Sequence, residues 1–279
     1  MKPSISSSRN SRIADLVPPI SQFTAENGTV YHLERVIGMG GYGMVYACVT
    51  DSGLRCALKT AKAYSLIIES EVLKKVNEMK CRHFCQILGE GFSNELKNNY
   101  IVMEIKGPNL VEVRNMLPSR RFSAETSFRV AMQMLNGIEE LHECGFVSRD
   151  VKPSNFVVGN AFPGCRIIHM IDFGIAKKYL DVNGELLERR SGGGWRGTSR
   201  KLPAFMFDVL KMIDSWQFVT KPEYQKIYDL FDEEMKKQKL DYKAEYDWEK
   251  CPIFAAMKGS NLTSGEDSTS TLSTVSMSI

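Results

Sequence analysis

The sequence predicts an α+β protein of two lobes, a small β-rich lobe followed by a larger α-rich one. Two observations carry this expectation. Short apolar runs bounded by turn residues fill the first hundred positions, and apolar residues at helical spacing dominate from Ser123 onward. A run of strands followed by a run of helices is the pattern of an α+β fold. The chain of 279 residues is long enough for two lobes sharing a cleft.

In the first half, Tyr31 to Ile37, Met44 to Thr50 and Leu54 to Thr60 read as strands, the last two joined by the turn Asp51-Ser52-Gly53. Ser65 to Met79 reads as a helix with Ile68, Val72 and Val76 on one stripe, and Tyr100 to Glu104 as a further strand. In the second half, Ser123 can cap a helix running to about His142, with Phe128, Ala131, Leu135, Ile138 and Leu141 at helical spacing. Phe156 to Val158 and Ile167 to Ile171 are short apolar stretches. Pro203 to Asp214 reads as a helix, and another starts near Pro222 with the stripe Tyr224, Ile227, Tyr228, Phe231 and Met235.

Composition narrows the function classes. The 36 basic and 33 acidic residues nearly cancel, so the charge implies neither a nucleic-acid nor a membrane partner. No run approaches the eighteen apolar residues of a membrane span. The cysteines are odd in number, which points to free thiols in a reducing compartment: a cytoplasmic protein, with the nucleus as the alternative. Cys81-Arg82-His83-Phe84-Cys85 resembles a metal clip but lacks the second Cys/His pair that tetrahedral zinc requires, and a buried loop entering a strand is the simpler expectation. The Ser-rich stretch 1–28 and the Ser/Thr-rich stretch 258–279 lack periodic apolar residues and are expected to be disordered tails flanking a domain at 29–257.

Four motifs carry chemistry. Gly38-Met39-Gly40-Gly41-Tyr42-Gly43-Met44-Val45 joins two strands, where glycines let backbone approach phosphate oxygens. A dinucleotide-binding loop of similar pattern would instead open a helix. Lys59 closes the strand Ala57-Leu58-Lys59 and can reach such phosphates. A carboxylate on the next helix must hold it, with Glu69 the best placed and Glu71 the rival. In Ser148-Arg149-Asp150-Val151-Lys152-Pro153-Ser154-Asn155, Asp150 can accept a hydroxyl proton, Lys152 can neutralise a moving phosphoryl group, and Asn155 can hold a magnesium ion. Asp172-Phe173-Gly174 supplies a second metal-binding group after an apolar strand.

In this order the motifs resemble a protein kinase of the casein kinase I group, nearest its tau-tubulin kinase branch. The segments that say so are His142-Glu143-Cys144-Gly145-Phe146-Val147-Ser148-Arg149-Asp150, Lys152-Pro153-Ser154-Asn155-Phe156, Asp172-Phe173-Gly174-Ile175-Ala176, Thr220-Lys221-Pro222-Glu223-Tyr224 and Asp247-Trp248-Glu249-Lys250. Arg196-Gly197-Thr198 is similar to the loop that receives the substrate residue. The resemblance implies a two-lobed kinase-like fold, 29–104 and 105–257, and ATP-dependent phosphorylation of protein serine or threonine with Mg²⁺. It also implies a nucleotide site. Gly38, Gly40 and Gly43 would cover the phosphates, with Val45 and Ala57 on adenine, Met103 behind it, and Glu104 and Ile105 as the hinge.

Three departures from that pattern stand out. Ser148 replaces a histidine. The connection from Lys59 to Glu69 is short. After Gly197-Thr198-Ser199-Arg200, the remainder of the substrate loop and two helices, one long and buried, are absent, and Lys201-Leu202-Pro203 already resembles the segment beyond those helices. The large lobe is therefore expected to be incomplete. The loss of so much core exceeds a typical domain's ~5–15 kcal/mol of stability. This leaves an alternative function, a catalytically impaired nucleotide-binding pseudokinase or a partner-binding fragment.

Overall fold

The computed structural model describes residues 18–40, 43–61, 63–181, 183–187, 204–217 and 220–260. Gly41 and Tyr42, the loop at Arg196-Gly197-Thr198, Lys201-Leu202-Pro203 and the stretches 1–17 and 261–279 lie outside the described residues.

The small lobe is a six-stranded antiparallel sheet with one helix. Its strands are β1 (Gln22–Thr24), β2 (Val30–Gly40), β3 (Gly43–Thr50), β4 (Arg55–Ala61), β5 (Ile87–Ser93) and β6 (Asn98–Glu104). They lie side by side in the order β1-β2-β3-β4-β6-β5. Helix α1 (Ala63–Glu78) crosses between β4 and β5 and buries Leu66, Val72, Leu73 and Val76. Val72 and Val76 belong to the expected stripe, and Leu66 and Leu73 widen it, which suits a helix lodged between the sheet and the large lobe.

The sheet begins earlier than the sequence led one to expect. Gln22–Thr24, assigned to the tail at 1–28, pairs with Val30–His32 of β2. Phe23 is buried between the rings of Tyr31 and Tyr100, at 5.3 and 4.9 Å. Three residues are too few to show an alternation, so the aromatic contact, invisible in the sequence, decides the strand.

The large lobe contains α2 (Leu110–Met116), α3 (Ala124–Glu143), α4 (Ala204–Ser215), α5 (Tyr224–Lys237) and α6 (Pro252–Ser260). Between α3 and α4 lie the short strands β7 (Phe146–Val147), β8 (Phe156–Val158), β9 (Ile168–Met170) and β10 (Lys177–Lys178), paired β8 with β9 and β7 with β10. Ser123 caps α3 by accepting the Thr126 N–H at 3.1 Å. Helix α3 has two apolar faces rather than the one expected. Thr126, Val130, Gly137 and Leu141 are its buried positions, whereas Phe128, Ala131 and Leu135 pack on Phe205, Val209, Ile227 and Phe231 of α4 and α5. Trp248 is fully buried, stacked on Tyr246 at 4.4 Å, and anchors the C-terminal part to the core. The result is a two-lobed α+β fold as expected, a small sheet lobe followed by a helical lobe.

Candidate active site

The glycine hairpin forms the upper wall of the cleft. Gly38 faces Val45 and Gly40 faces Gly43 across β2 and β3. Gly43 has φ +143°, and a Cβ there would lie 1.9 Å from the Thr60 carbonyl oxygen, so β4 passes too close for any side chain. Among the described residues, a Cβ on Gly40 would meet nothing within 4 Å. Beneath the hairpin, Val45 stands opposite Lys59, and Ala57 opposite Met103. β6 ends at Glu104, whose N–H donates to the Gln86 carbonyl at 2.9 Å, and Asn160 Nδ2 donates to the Ile105 carbonyl at 2.8 Å. The chain thus crosses between the lobes pinned on both sides.

Lys59 lies at the centre. Its Nζ donates to Glu69 Oε2 at 2.6 Å and to Asp172 Oδ1 at 2.8 Å. Its side chain is 8% exposed and that of Glu69 2%, so two charges are taken from water together. Burial works to neutralise Lys59, but the carboxylates of Glu69 and Asp172 outweigh it and hold the ammonium above its ordinary value. Burial pushes the Glu69 carboxyl up, opposed by Lys59 and by a backbone hydrogen bond from Phe173. Glu71 is exposed and takes no part. The short connection reaches because α1 starts two residues beyond the end of β4, placing Glu69 on its second turn.

Asp172 adopts φ +66° and Arg149 φ +65°, left-handed conformations that cost non-glycine residues about 1–3 kcal/mol and persist only where surroundings enforce them. Phe173 does so for Asp172: it is buried and packs on Phe84 at 5.6 Å. Gly174 allows α1 to close in, since a Cβ there would lie 2.3 Å from Ser65 Oγ. Arg149 Nε donates to the Ile175 carbonyl at 2.6 Å.

Asp150, Lys152 and Asn155 converge at one place. Lys152 Nζ donates to Asp150 Oδ2 at 2.6 Å, and Asn155 Nδ2 donates to the same oxygen and to the Asp150 carbonyl, both at 3.0 Å. Ser148, buried where the resemblance implies a histidine, accepts the Asp150 N–H at 3.2 Å and so holds the same loop. The Asn155 carbonyl accepts the Ile171 N–H at 2.9 Å, which brings the loop beside Asp172. Two contacts were not legible from the motifs. One is Asp172 directly on Lys59; the other is the Phe173 backbone on Glu69. Both join segments more than a hundred residues apart, and only the two-lobed topology could have indicated them.

The chemistry of the donor set fits a nucleotide with a hard divalent cation. Asp172 offers a carboxylate, and Asn155 keeps its side-chain oxygen because its Nδ2 is the atom spent on Asp150. Lys59 and Lys152 add two cationic groups for phosphate oxygens.

The comparisons agree with the geometry. The model of the protein kinase domain family matches residues 31–190, more than half of the chain. A Dictyostelium discoideum protein named a probable serine/threonine-protein kinase is 33% identical over 169 residues, covering 59% of this chain and 33% of that protein. A Caenorhabditis elegans protein whose name places it with casein kinase I is 30% identical over 192 residues, covering 65% of this chain and 54% of that protein. The chain therefore spans about a third and about half of these two relatives.

Proposed function

The chain belongs to the protein kinase domain family, and from that premise we propose that it phosphorylates serine or threonine hydroxyls of protein substrates using ATP and Mg²⁺. The motifs after Ser148 and around Asp247-Trp248-Glu249-Lys250 support a finer reading within the casein kinase I group, on the tau-tubulin kinase side. The catalytic unit in this reading runs from 29 to 257 and divides after Glu104. Free cysteines throughout support a reducing compartment, and among the described residues no helix is long and apolar enough to cross a membrane.

The reading assigns one task to each side chain. Gly38, Gly40 and Gly43 bring backbone N–H groups over the phosphates, and Val45, Ala57 and Met103 form the apolar slot for adenine beside Glu104 and Ile105. Lys59, oriented by Glu69, holds the phosphates. Asn155 and Asp172 would hold Mg²⁺, which when bound would neutralise charge developing on the phosphates. Asp150 accepts the proton of the substrate hydroxyl as its oxygen bonds to the γ-phosphorus and the bond from that phosphorus to ADP breaks, ADP leaving with the electron pair; Lys152 screens the charge on the transferred group. Positioning and electrostatics carry nearly all of such a reaction.

The observation that carries the reading is the single ammonium of Lys59 bonded to both Glu69 and Asp172, which joins α1, the sheet and the large lobe in one closed contact. The test is single-turnover phosphoryl transfer beside calorimetric ATP–Mg²⁺ binding. Asp150→Asn is expected to lower transfer at least ~10²-fold while leaving ATP affinity within about twofold. Asp172→Asn is expected to weaken both. Transfer that survives Asp150→Asn would overturn the assignment.

A second reading, nucleotide binding without turnover, is favoured by the thin cover that α4 and α5 give to α3. That cluster contains only three buried side chains among the described residues, Val209, Ile227 and Phe231. Restoring the absent helices from a related kinase separates the two readings. Activity gained only on restoration would support the second.

A further inference from the structure

Away from the cleft, three sulfur atoms converge where the small lobe meets the end of α3. Cys144 Sγ lies 3.3 Å from Met79 Sδ and 3.7 Å from Cys81 Sγ. Met79 and Cys81 follow the C-terminus of α1, and Cys144 caps α3. We propose that Met79, Cys81 and Cys144 form a three-coordinate binding site for a soft monovalent metal ion, Cu(I), bridging the two lobes.

The donor chemistry selects the metal class. Two thiols and a thioether are soft ligands, suited to Cu(I) and poorly matched to Mg²⁺ or Ca²⁺. A structural zinc site would need a fourth donor. Glu140, a carboxylate that acts on both thiols, is already engaged, its two oxygens accepting the Arg82 and His83 N–H groups at 3.2 and 3.1 Å. Three sulfurs each ~2.3 Å from a metal in a trigonal plane are about 4 Å apart. The two edges to Cys144, 3.3 and 3.7 Å, need only a small spread, and Met79, 45% exposed with a flexible side chain, can swing to supply it and to set the third edge to Cys81.

The site is held in place before any metal arrives. Lys80 takes φ +55° and turns the chain so that the Cys81 N–H returns to the Val76 carbonyl at 2.9 Å. Glu140 fixes Arg82 and His83 with its side chain and Cys144 with its backbone, the Cys144 N–H donating to the Glu140 carbonyl at 3.1 Å. Both cysteines are thus positioned by one residue of a long helix. The charges acting on the thiols are Glu140 and Glu143 at Cys81, and Lys75 and Glu140 at Cys144, so the balance is negative and favours a cation. Met79 and the half-buried Cys81 leave a path from solvent.

Binding conserves charge by releasing protons: Cu⁺ and two thiols give an anionic dithiolate–thioether complex and two H⁺. Affinity must therefore fall as pH falls. The other close pair, Cys48 and Cys56 at 3.3 Å, is fully buried inside the sheet and lacks such a path.

The experiment titrates the 279-residue chain with Cu(I) under anaerobic, reducing conditions against bicinchoninate, whose copper complex is coloured. One equivalent of Cu(I) should be withheld from the chelator. Cys81→Ser and Cys144→Ser should each lower affinity at least about 100-fold, the upper range for losing even an outer-shell partner. Met79→Leu should lower it by about tenfold, and Cys48→Ser should change nothing. X-ray absorption at the copper edge should show sulfur neighbours only. Should Cys144→Ser fail to fold, the half-exposed Cys81→Ser and the absorption spectrum still decide. No copper withheld, equal retention by Cys81→Ser, or nitrogen and oxygen neighbours would each overturn the proposal.

Discussion

The six-stranded sheet and the pair α4–α5 are both built from strongly apolar segments, yet they close to different degrees. The sheet's own cluster buries ten side chains, including Phe23, Tyr31, Tyr46, Leu58 and Val102. Among the described residues the α4–α5 cluster buries three, while Phe128, Met132, Leu135, Phe205, Met206 and Trp216 are only partly covered. Phe207 and Ile213 of α4 stand in solvent. An amphipathic stripe is enough to make a helix, but burying it takes an opposing layer. For the sheet that layer is present; for α4 and α5 no comparable layer is found among the described residues.

The largest effect expected from this contrast concerns two phenylalanines. Phe23→Ala removes a ring held by Tyr31 and Tyr100 in a closed core, and should cost about 3–5 kcal/mol in urea unfolding. Phe231→Ala removes a ring that touches Phe128 and Phe205 edge-on in the thin cluster. It should release α4 and α5 locally, raising hydrogen exchange there while amides of β3, β4 and β6 keep their protection. If both substitutions unfold the molecule in one transition of equal cost, the two regions are one cooperative unit and the contrast fails.

Legibility in the sequence followed the range of the interactions. Strands β2 to β4 and helices α1, α3, α4 and α5 were readable because each repeats a local pattern over seven or more residues. Strand β1 was not, since Phe23 is fixed by rings at positions 31 and 100. The stripe assigned to α3 merged two faces, because periodicity tells which residues are apolar and not which neighbour each meets. At the cleft, residue identities at Asp150, Asn155 and Asp172 were conspicuous, and what they bond to was not. The sulfur cluster was half visible: Cys81 stood out within its loop, but Cys144, 63 positions later, gave no sign of belonging with it.

A smaller, pH-dependent effect should sharpen the same contrast. His142 of α3 and Tyr224 of α5 share a hydrogen bond between Nδ1 and the hydroxyl, one of the links that hold α5 in place. Burial keeps the Tyr224 phenol far above its ordinary value, so it donates, and the neutral imidazole accepts. Burial also lowers the His142 imidazole below its ordinary 6.5. The unfolded state therefore binds the proton first as pH falls, so the stabilisation is complete above about pH 6.5 and is lost as pH drops through the lowered folded value. Exchange from α5, corrected for the intrinsic pH dependence, should rise on going from pH 7 to 5 more than exchange from the sheet. Tyr224→Phe should cost about 1 kcal/mol for the lost hydrogen bond at pH 7 but leave most of that pH dependence, because burial is what lowers His142; His142→Gln should remove it.

The smallest effect lies at the N-terminus of α3, the helix both regions lean on. Ser123 accepts the Thr126 N–H, and Asp247 Oδ2 in turn accepts the Ser123 N–H at 2.6 Å. Ser123→Ala removes the side-chain cap but leaves the backbone bond to Asp247, so the loss should be about 1 kcal/mol. Its distribution is the informative part. Thr126 and Val130, in the first turns, face the closed core, whereas Phe128 faces α4 and α5. Fraying of those turns is resisted on the first face by buried neighbours, among them Trp248, and barely resisted on the second. Hydrogen exchange should therefore rise in α4 and α5 by more than in α6 or the sheet. If α6 responds equally, the cap acts through Asp247 on the C-terminal segment, and α3 transmits strain to both faces alike.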